Sequence, residues 1–179
     1  MDLNWLRISD GKKSTWKIAQ PMRDDSVWQP LVLYNMSRQL LPSHRAVPGL
    51  EALPPKIIEL CALNAKSNIH NNPYYGAAST LARSLNSDCM MSTFLDFLFF
   101  IGDIPPDYTG LLERKEPCAL LLLAYWYAKL CQYQIWWIRP RVTIECQAIC
   151  IYLERHYPYE TNIQELLGYP NMMLGSVVR

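Results

Sequence analysis

At 179 residues the chain has the length of one domain with a continuous core, and half of its residues are hydrophobic while 18% are charged. Its 17 basic and 16 acidic residues almost cancel and run no further than pairs such as Lys12-Lys13 and Asp24-Asp25. That balance excludes a basic footprint for phosphate backbones, so no direct nucleic-acid binding is expected, and the composition falls short of a multi-span membrane protein.

Helix signals dominate in chain order, and the spacing predicts an all-α fold, an irregular bundle of about seven to nine helices in a single domain over residues 1–179. A first helical segment runs from Asp2 to about Ile18, with Leu3, Leu6, Trp5 and Trp16 and a weak point at Gly11. Pro21, Pro30, Pro42 and Pro48 then punctuate a loop with helical turns around Leu31 to Leu41. Pro54-Pro55 opens a helix through Ile57, Ile58, Leu60 and Cys61, and Asn72-Pro73 opens another that reaches about Leu85. From Cys89 to Ile101 almost no polar face remains, which predicts a central helix.

Pro105-Pro106 starts a short helix through Leu111-Leu112, and Glu116-Pro117 starts the longest apolar run. Arg139-Pro140-Arg141 breaks that run, after which Val142, Cys146, Ile149, Cys150 and Leu153 recur at helical spacing. In the last expected helix Thr161 to Gln164 fits a capping box, Gly168 suits the C′ position and Pro170 prevents continuation.

Six cysteines, four of them inside apolar runs, and an amino-terminal segment without the basic and apolar parts of an export signal read as reduced core thiols in a nuclear or cytoplasmic protein. Cys118 to Ile138 is about as long as a bilayer requires, but Lys129, Gln132 and Gln134 interrupt it. A buried helix accounts for the same residues, so no membrane span is expected.

No Gly-rich phosphate loop, nucleophile elbow or paired-histidine zinc motif occurs. His44, His70 and His156 are dispersed, and Cys146 and Cys150 share a helix face without further ligands nearby in sequence. The expectation is no catalytic residue, no metal and no cofactor. Aromatic side chains are the distinctive feature: Tyr125, Trp126, Tyr127, Trp136 and Trp137 crowd together, and Met172 and Met173 follow near the end. These seven are the candidate lining of a pocket for a large apolar ligand; a plain aromatic core is the alternative.

The segment Glu116-Pro117-Cys118-Ala119-Leu120-Leu121-Leu122-Leu123-Ala124-Tyr125-Trp126-Tyr127-Ala128, then Trp136-Trp137-Ile138 and Glu145-Cys146-Gln147-Ala148-Ile149, resembles the C-terminal region of fungal zinc-cluster (Zn2Cys6) transcription factors. It is most similar to the branch of the sterol uptake control regulators. Asp2-Leu3-Asn4-Trp5-Leu6 through Gly11 and Trp16, and Leu166-Leu167-Gly168-Tyr169-Pro170, resemble the opening and close of the same stretch. The resemblance implies a helical effector domain, dimeric in the sterol-sensing members, with an apolar pocket whose occupancy controls activity in the nucleus. It begins inside the regulatory domain, so the DNA-binding zinc cluster is not carried over.

The expected function is therefore non-enzymatic: a transcription-regulator effector domain that senses a sterol or other hydrophobic ligand, or mediates protein–protein contact. Its expected partners are that ligand and either a second copy or a full-length relative. The alternatives are a small helical enzyme acting on an apolar substrate, and a truncated product that works only by pairing with a relative.

Overall fold

A computed structural model describes residues 49–90, 94, 106–133 and 135–177, together with Ile18, Ser26 and Gln29. The backbone divides into a larger unit that holds Pro48–Arg179 together with Met1–Leu3, and a smaller one, Asn4–Val47; every element below belongs to the larger. The helix expected from Asp2 to Ile18, the turns around Leu31 to Leu41 and most of the Cys89–Ile101 segment lie outside the described residues.

Several helices begin at prolines, because the first turn needs no amide donor and gains from a pre-set φ. After a 3-10 turn at Leu50–Ala52, Pro55 starts α1 (Pro55–Leu60). Helix α2 spans Tyr75–Leu85. Its expected opening at Asn72-Pro73 lies two residues upstream, in a turn that Asn72 organises. The Asn72 carbonyl oxygens of side chain and backbone accept from the amides of Tyr74 (2.9 Å) and Tyr75 (3.1 Å), while its Nδ2 donates to the Cys61 carbonyl (3.0 Å).

Helices α3 (Pro106–Glu113) and α4 (Pro117–Leu130) follow the proline signals. Glu116 caps α4 by accepting from the Ala119 amide at 2.8 Å. Helix α5 (Arg139–His156) carries Pro140 in its first turn, so the residues that break the apolar run also start the next helix.

The end of the chain departs from expectation. Helix α6 (Thr161–Leu166) has Glu160 at its N-cap with no side-chain cap, and the Gln164 side chain donates to the Tyr157 carbonyl (2.9 Å) instead of completing a box. Gly168 does not end the helical chain; α7 (Gly168–Val177) starts there. Pro170 sits in the first turn of α7, where its missing N–H breaks no intrahelical bond. No strand occurs among the described residues, so the described chain is helical.

Helix α4 is the hub. From Ala119 to Leu130 every residue is buried, and α2, α3, α5, α6 and α7 all pack around it. A helix with no polar face has to be enclosed in this way. Neighbours are tied to it by polar groups as well: the Tyr108 hydroxyl of α3 donates to the Ala119 carbonyl (2.8 Å), and the Cys146 thiol of α5 to that of Ala124 (3.5 Å). Lys129, at the end of α4, donates to the Leu85 carbonyl (3.1 Å). The Lys56–Glu165 ion pair links α1 to α6 at the surface. Among the described residues no helix is long and apolar enough to cross a membrane, because α4 stops at Leu130 and a turn follows at Cys131 and Gln132.

Candidate functional site

Consecutive residues on a helix diverge by roughly 100° each, so Tyr125, Trp126 and Tyr127 point in three directions from α4. All three are buried, and Trp126 and Tyr127 pack against each other with ring centroids 5.1 Å apart. Tyr125 faces α7. Its ring stacks on Tyr169 at 4.9 Å and 27°, and its hydroxyl donates to the Leu166 carbonyl at 2.9 Å.

This stacked pair lines an open groove of about 380 Å³ with Ala52, Leu53, Pro54 and Leu85. The 3-10 turn supplies Ala52 and lies just ahead of Leu53 and Pro54, α2 supplies Leu85, and α4 and α7 supply the tyrosines. Only the two hydroxyls and the backbone are polar here. Burial pushes the Tyr125 phenol well above its ordinary range, with Tyr169 adding to the effect. Tyr169 is pushed up to about 12, first by burial, against a hydrogen bond from Gln132 that lowers it. Both are neutral at physiological pH and offer a hydroxyl dipole rather than a charge.

Gln132 organises the α7 side. Its Nε2 donates to the Tyr169 hydroxyl (3.3 Å) and to the Met173 sulfur (3.1 Å), and its Oε1 accepts from the Cys89 thiol (3.3 Å). Met173 is thus connected to the groove through Gln132 without lining it.

The other candidates lie elsewhere. Trp136 is 84% exposed, Trp137 56% and Met172 60%, none of them against the groove. Trp137 meets Phe94 edge-on at 6.0 Å. Of the seven candidates, then, Tyr125 alone lines the groove. Ala52, Leu53, Pro54, Leu85 and Tyr169 were missed as lining residues. Tyr169 had a signal, since it is aromatic and lies within Leu166–Pro170, but reading Gly168 and Pro170 as a stop removed the helix that carries it.

A second, smaller groove of about 270 Å³ lies between α5 and α7, with Gln147, Ile151 and Leu174 on its walls and Asn171 donating to Glu154 (2.9 Å). All six cysteines are free. Cys61 and Cys146 are held well above the ordinary thiol range, first by hydrogen bonding to Cys118 and Cys150 and then by burial, so neither offers a thiolate. His70 is exposed, and His156 stacks on Tyr152 at 4.0 Å with Nδ1 at 2.9 Å from that residue's carbonyl. His44 lies outside the described residues. No cluster of three or more His, Cys, Asp or Glu side chains among the described residues is placed to hold a metal.

No protein-family model, curated protein or solved structure matches this chain.

Proposed function

We propose that the chain is a regulatory effector domain of the fungal zinc-cluster type, nuclear or cytoplasmic, in which the Tyr125–Tyr169 groove receives a sterol or similar apolar ligand. On this reading the whole chain is an irregular bundle of about seven to nine helices. The observation that carries it is the groove itself: apolar walls, two neutral hydroxyls, and a volume near the lower end of the roughly 300–1,000 Å³ typical of small-molecule sites. A groove of that size and openness holds one end of a long apolar molecule. The phenols have pKa values above the neutral range that a general acid or base needs, which favours binding over catalysis.

The groove also suits signalling. Its walls come from the 3-10 turn, which packs on α2, and from α4 and α7, so an occupant that draws the 3-10 turn and α7 together shifts the equilibrium between two packings. A change of that kind at α7 is what a partner regulator would read, as a second copy or as a full-length relative.

The test combines lipid extraction with thermal unfolding. Protein purified from a fungal host is extracted and its co-purifying lipids identified by mass spectrometry. Sterols and fatty acids are then titrated against the melting temperature, where a ligand at about 100 times its Kd adds about 2.7 kcal/mol. Ala52→Phe, which fills the groove from its rim, abolishes the rise. If the whole panel leaves the melting temperature unchanged, the ligand-sensing reading fails. If the rise persists in Ala52→Phe, the ligand binds elsewhere.

A further inference from the structure

The last carbonyl of α1 takes a donor from another element. The Cys118 thiol, in the first turn of α4, donates to the Leu60 carbonyl oxygen at 3.5 Å. Cys61 is the next residue along, and its thiol is in hydrogen-bond contact with that of Cys118. Two free thiols from separate elements therefore meet where the end of α1 reaches the start of α4. Backbone bonds fix the α1 side. The Cys61 amide donates to the Ile57 carbonyl at 3.0 Å, and Asn72 Nδ2 donates to the carbonyls of Cys61 and Ala62 at 3.0 and 3.2 Å.

The two thiols differ in exposure. Cys61 is buried, whereas Cys118 is half-buried. Hydrogen bonding to Cys118, and then burial, hold the Cys61 thiol above its ordinary range, so it keeps its hydrogen. A small oxidant in solution thus meets Cys118 first. Cys146 and Cys150 are also neighbours, but both are buried, and they share one helix at i and i+4. That spacing holds Cβ atoms about 5–6 Å apart, wider than the roughly 3.5–4.5 Å that a disulfide spans. A pair on two separate elements is under no such constraint.

We propose that Cys118 and Cys61 form an oxidative modification site, at which a small peroxide converts the pair into a disulfide that clamps the end of α1 to the start of α4. The Cys118 sulfur bonds to one peroxide oxygen and the O–O bond breaks. The other oxygen leaves as water with the thiol proton, and Cys118 becomes a sulfenic acid. The Cys61 sulfur then attacks the Cys118 sulfur, the S–O bond breaks, and the hydroxyl leaves as water with the Cys61 hydrogen. Two thiols give up two electrons, and one peroxide is reduced to two waters. The cross-link closes a loop that contains α2 and α3, which restricts the unfolded chain and favours the folded one. This inference stands apart from the ligand groove, which neither cysteine lines.

The experiment treats the folded, reduced whole chain with hydrogen peroxide at neutral pH, blocks the remaining thiols by alkylation and digests with trypsin. Cleavage after Lys56, Lys66, Lys115 and Lys129 leaves Cys61 and Cys118 as the sole cysteines of peptides 57–66 and 116–129. The expected product is these two peptides joined, lighter by two hydrogens than their sum and parted again by dithiothreitol. The oxidised chain should melt at least about 4 °C above the reduced one. Cys118→Ser should remove both the link and the rise while Cys61 stays reduced. Cys61→Ala should stop at the Cys118 sulfenic acid, which a 1,3-dione traps. If that core variant does not fold, Cys118→Ser decides alone, since its side chain is only half-buried. Absence of the joined peptide overturns the proposal, whether Cys118 stays reduced or goes on to sulfinic acid. So does a link that forms only in urea, a melting temperature that the link leaves unchanged, or an equal rise in Cys118→Ser.

Discussion

The ammonium of Lys129 donates to the main-chain carbonyl of Leu85 at 3.1 Å, so the last turn of α4 closes the last turn of α2. The last carbonyls of a helix have no intrahelical donor, and a lysine arriving from a neighbouring helix satisfies one of them while placing positive charge at the negative end of the dipole. Lys129 itself is only 8% exposed. The charge that argues against a membrane span thus serves as a tie inside the bundle. Lys129→Met keeps the packed stem and removes the donor. Leaving the carbonyl without its partner should lower stability by about 1–3 kcal/mol. A urea titration reads this as a lower midpoint at unchanged slope. An unchanged midpoint would show that Leu85 has another donor.

The position of α4 at the centre of five neighbours makes a second expectation quantitative. Leu122 is fully buried, whereas Ile144 on α5 is 66% exposed. Leu122→Ala leaves a cavity among helices that cannot all close on it, with a loss of about 2–5 kcal/mol. Ile144→Ala removes atoms already in water and should stay within about 0.5 kcal/mol of wild type. Two similar aliphatic truncations with opposite outcomes would place the core where α4 is. Equal losses would contradict that placement.

How far the sequence carries depends on which physical signal each residue sends. Pro55, Pro106 and Pro117 announce helix starts because a proline fits the first turn and few other places, and those three starts are where the structure has them. Pro170 sends the same letter for two states. After Gly168 it reads equally as a stop and as the first turn of a new helix, and the packing of α7 against α4 and α5 decides for the second. The aromatic run was harder. Tyr125, Trp126, Trp136 and Trp137 look alike in sequence, yet two are in the core and two face water. The difference is a turn beginning at Cys131, which hydropathy does not show because the residues after it remain apolar. The groove was legible only in part, since its lining comes from four elements and Tyr125 alone lay inside the aromatic cluster.

Alkaline pH should probe the Tyr125–Tyr169 stack. Tyr169 is pushed from 10.0 to about 12, and the Tyr125 and Tyr108 phenols are also raised, burial being the first cause in each case. A folded-state pKa above the unfolded value means that the native chain holds more protons between the two. Stability is then fully present below the unfolded pKa and lost as pH rises through the folded one. Unfolding followed by circular dichroism from pH 9 upward should therefore show falling stability between about pH 10 and 12. Tyr169→Phe should fall less steeply over that window, whatever its starting stability. A slope identical to wild type would mean that the Tyr169 phenol ionises alike in the folded and unfolded chains.

Two helix ends carry strain that a single substitution relieves. Ala62 follows α1 with φ of 50°, and Lys115 follows α3 with φ of 57°, both in the left-handed region. Each sits at the C′ position of a Schellman motif. The Leu63 amide donates to the Ile58 carbonyl at 2.9 Å and the Ala62 amide to Glu59 at 3.0 Å; Glu116 donates to Leu111 at 3.0 Å and Lys115 to Leu112 at 2.9 Å. For a residue with a Cβ this conformation costs about 1–2 kcal/mol, and glycine is free of that steric term. Glycine loses more backbone entropy on folding, by about 0.5–1 kcal/mol, so the net gain for Ala62→Gly should be below the full steric value, about 1.5 kcal/mol at most. Ala62 is exposed, and its methyl contributes nothing to the core. Lys115 differs, because its ammonium lies 5.2 Å from the centroid of the Tyr152 ring. Lys115→Gly relieves the backbone but loses that contact, itself about 0.5–1 kcal/mol at an exposed site, so the two effects should nearly cancel. Parallel urea titrations of the two variants are the check. A stabilised Ala62→Gly beside a near-neutral Lys115→Gly is the expected pair, and a destabilised Ala62→Gly would mean that the turn after α1 does not hold the left-handed conformation.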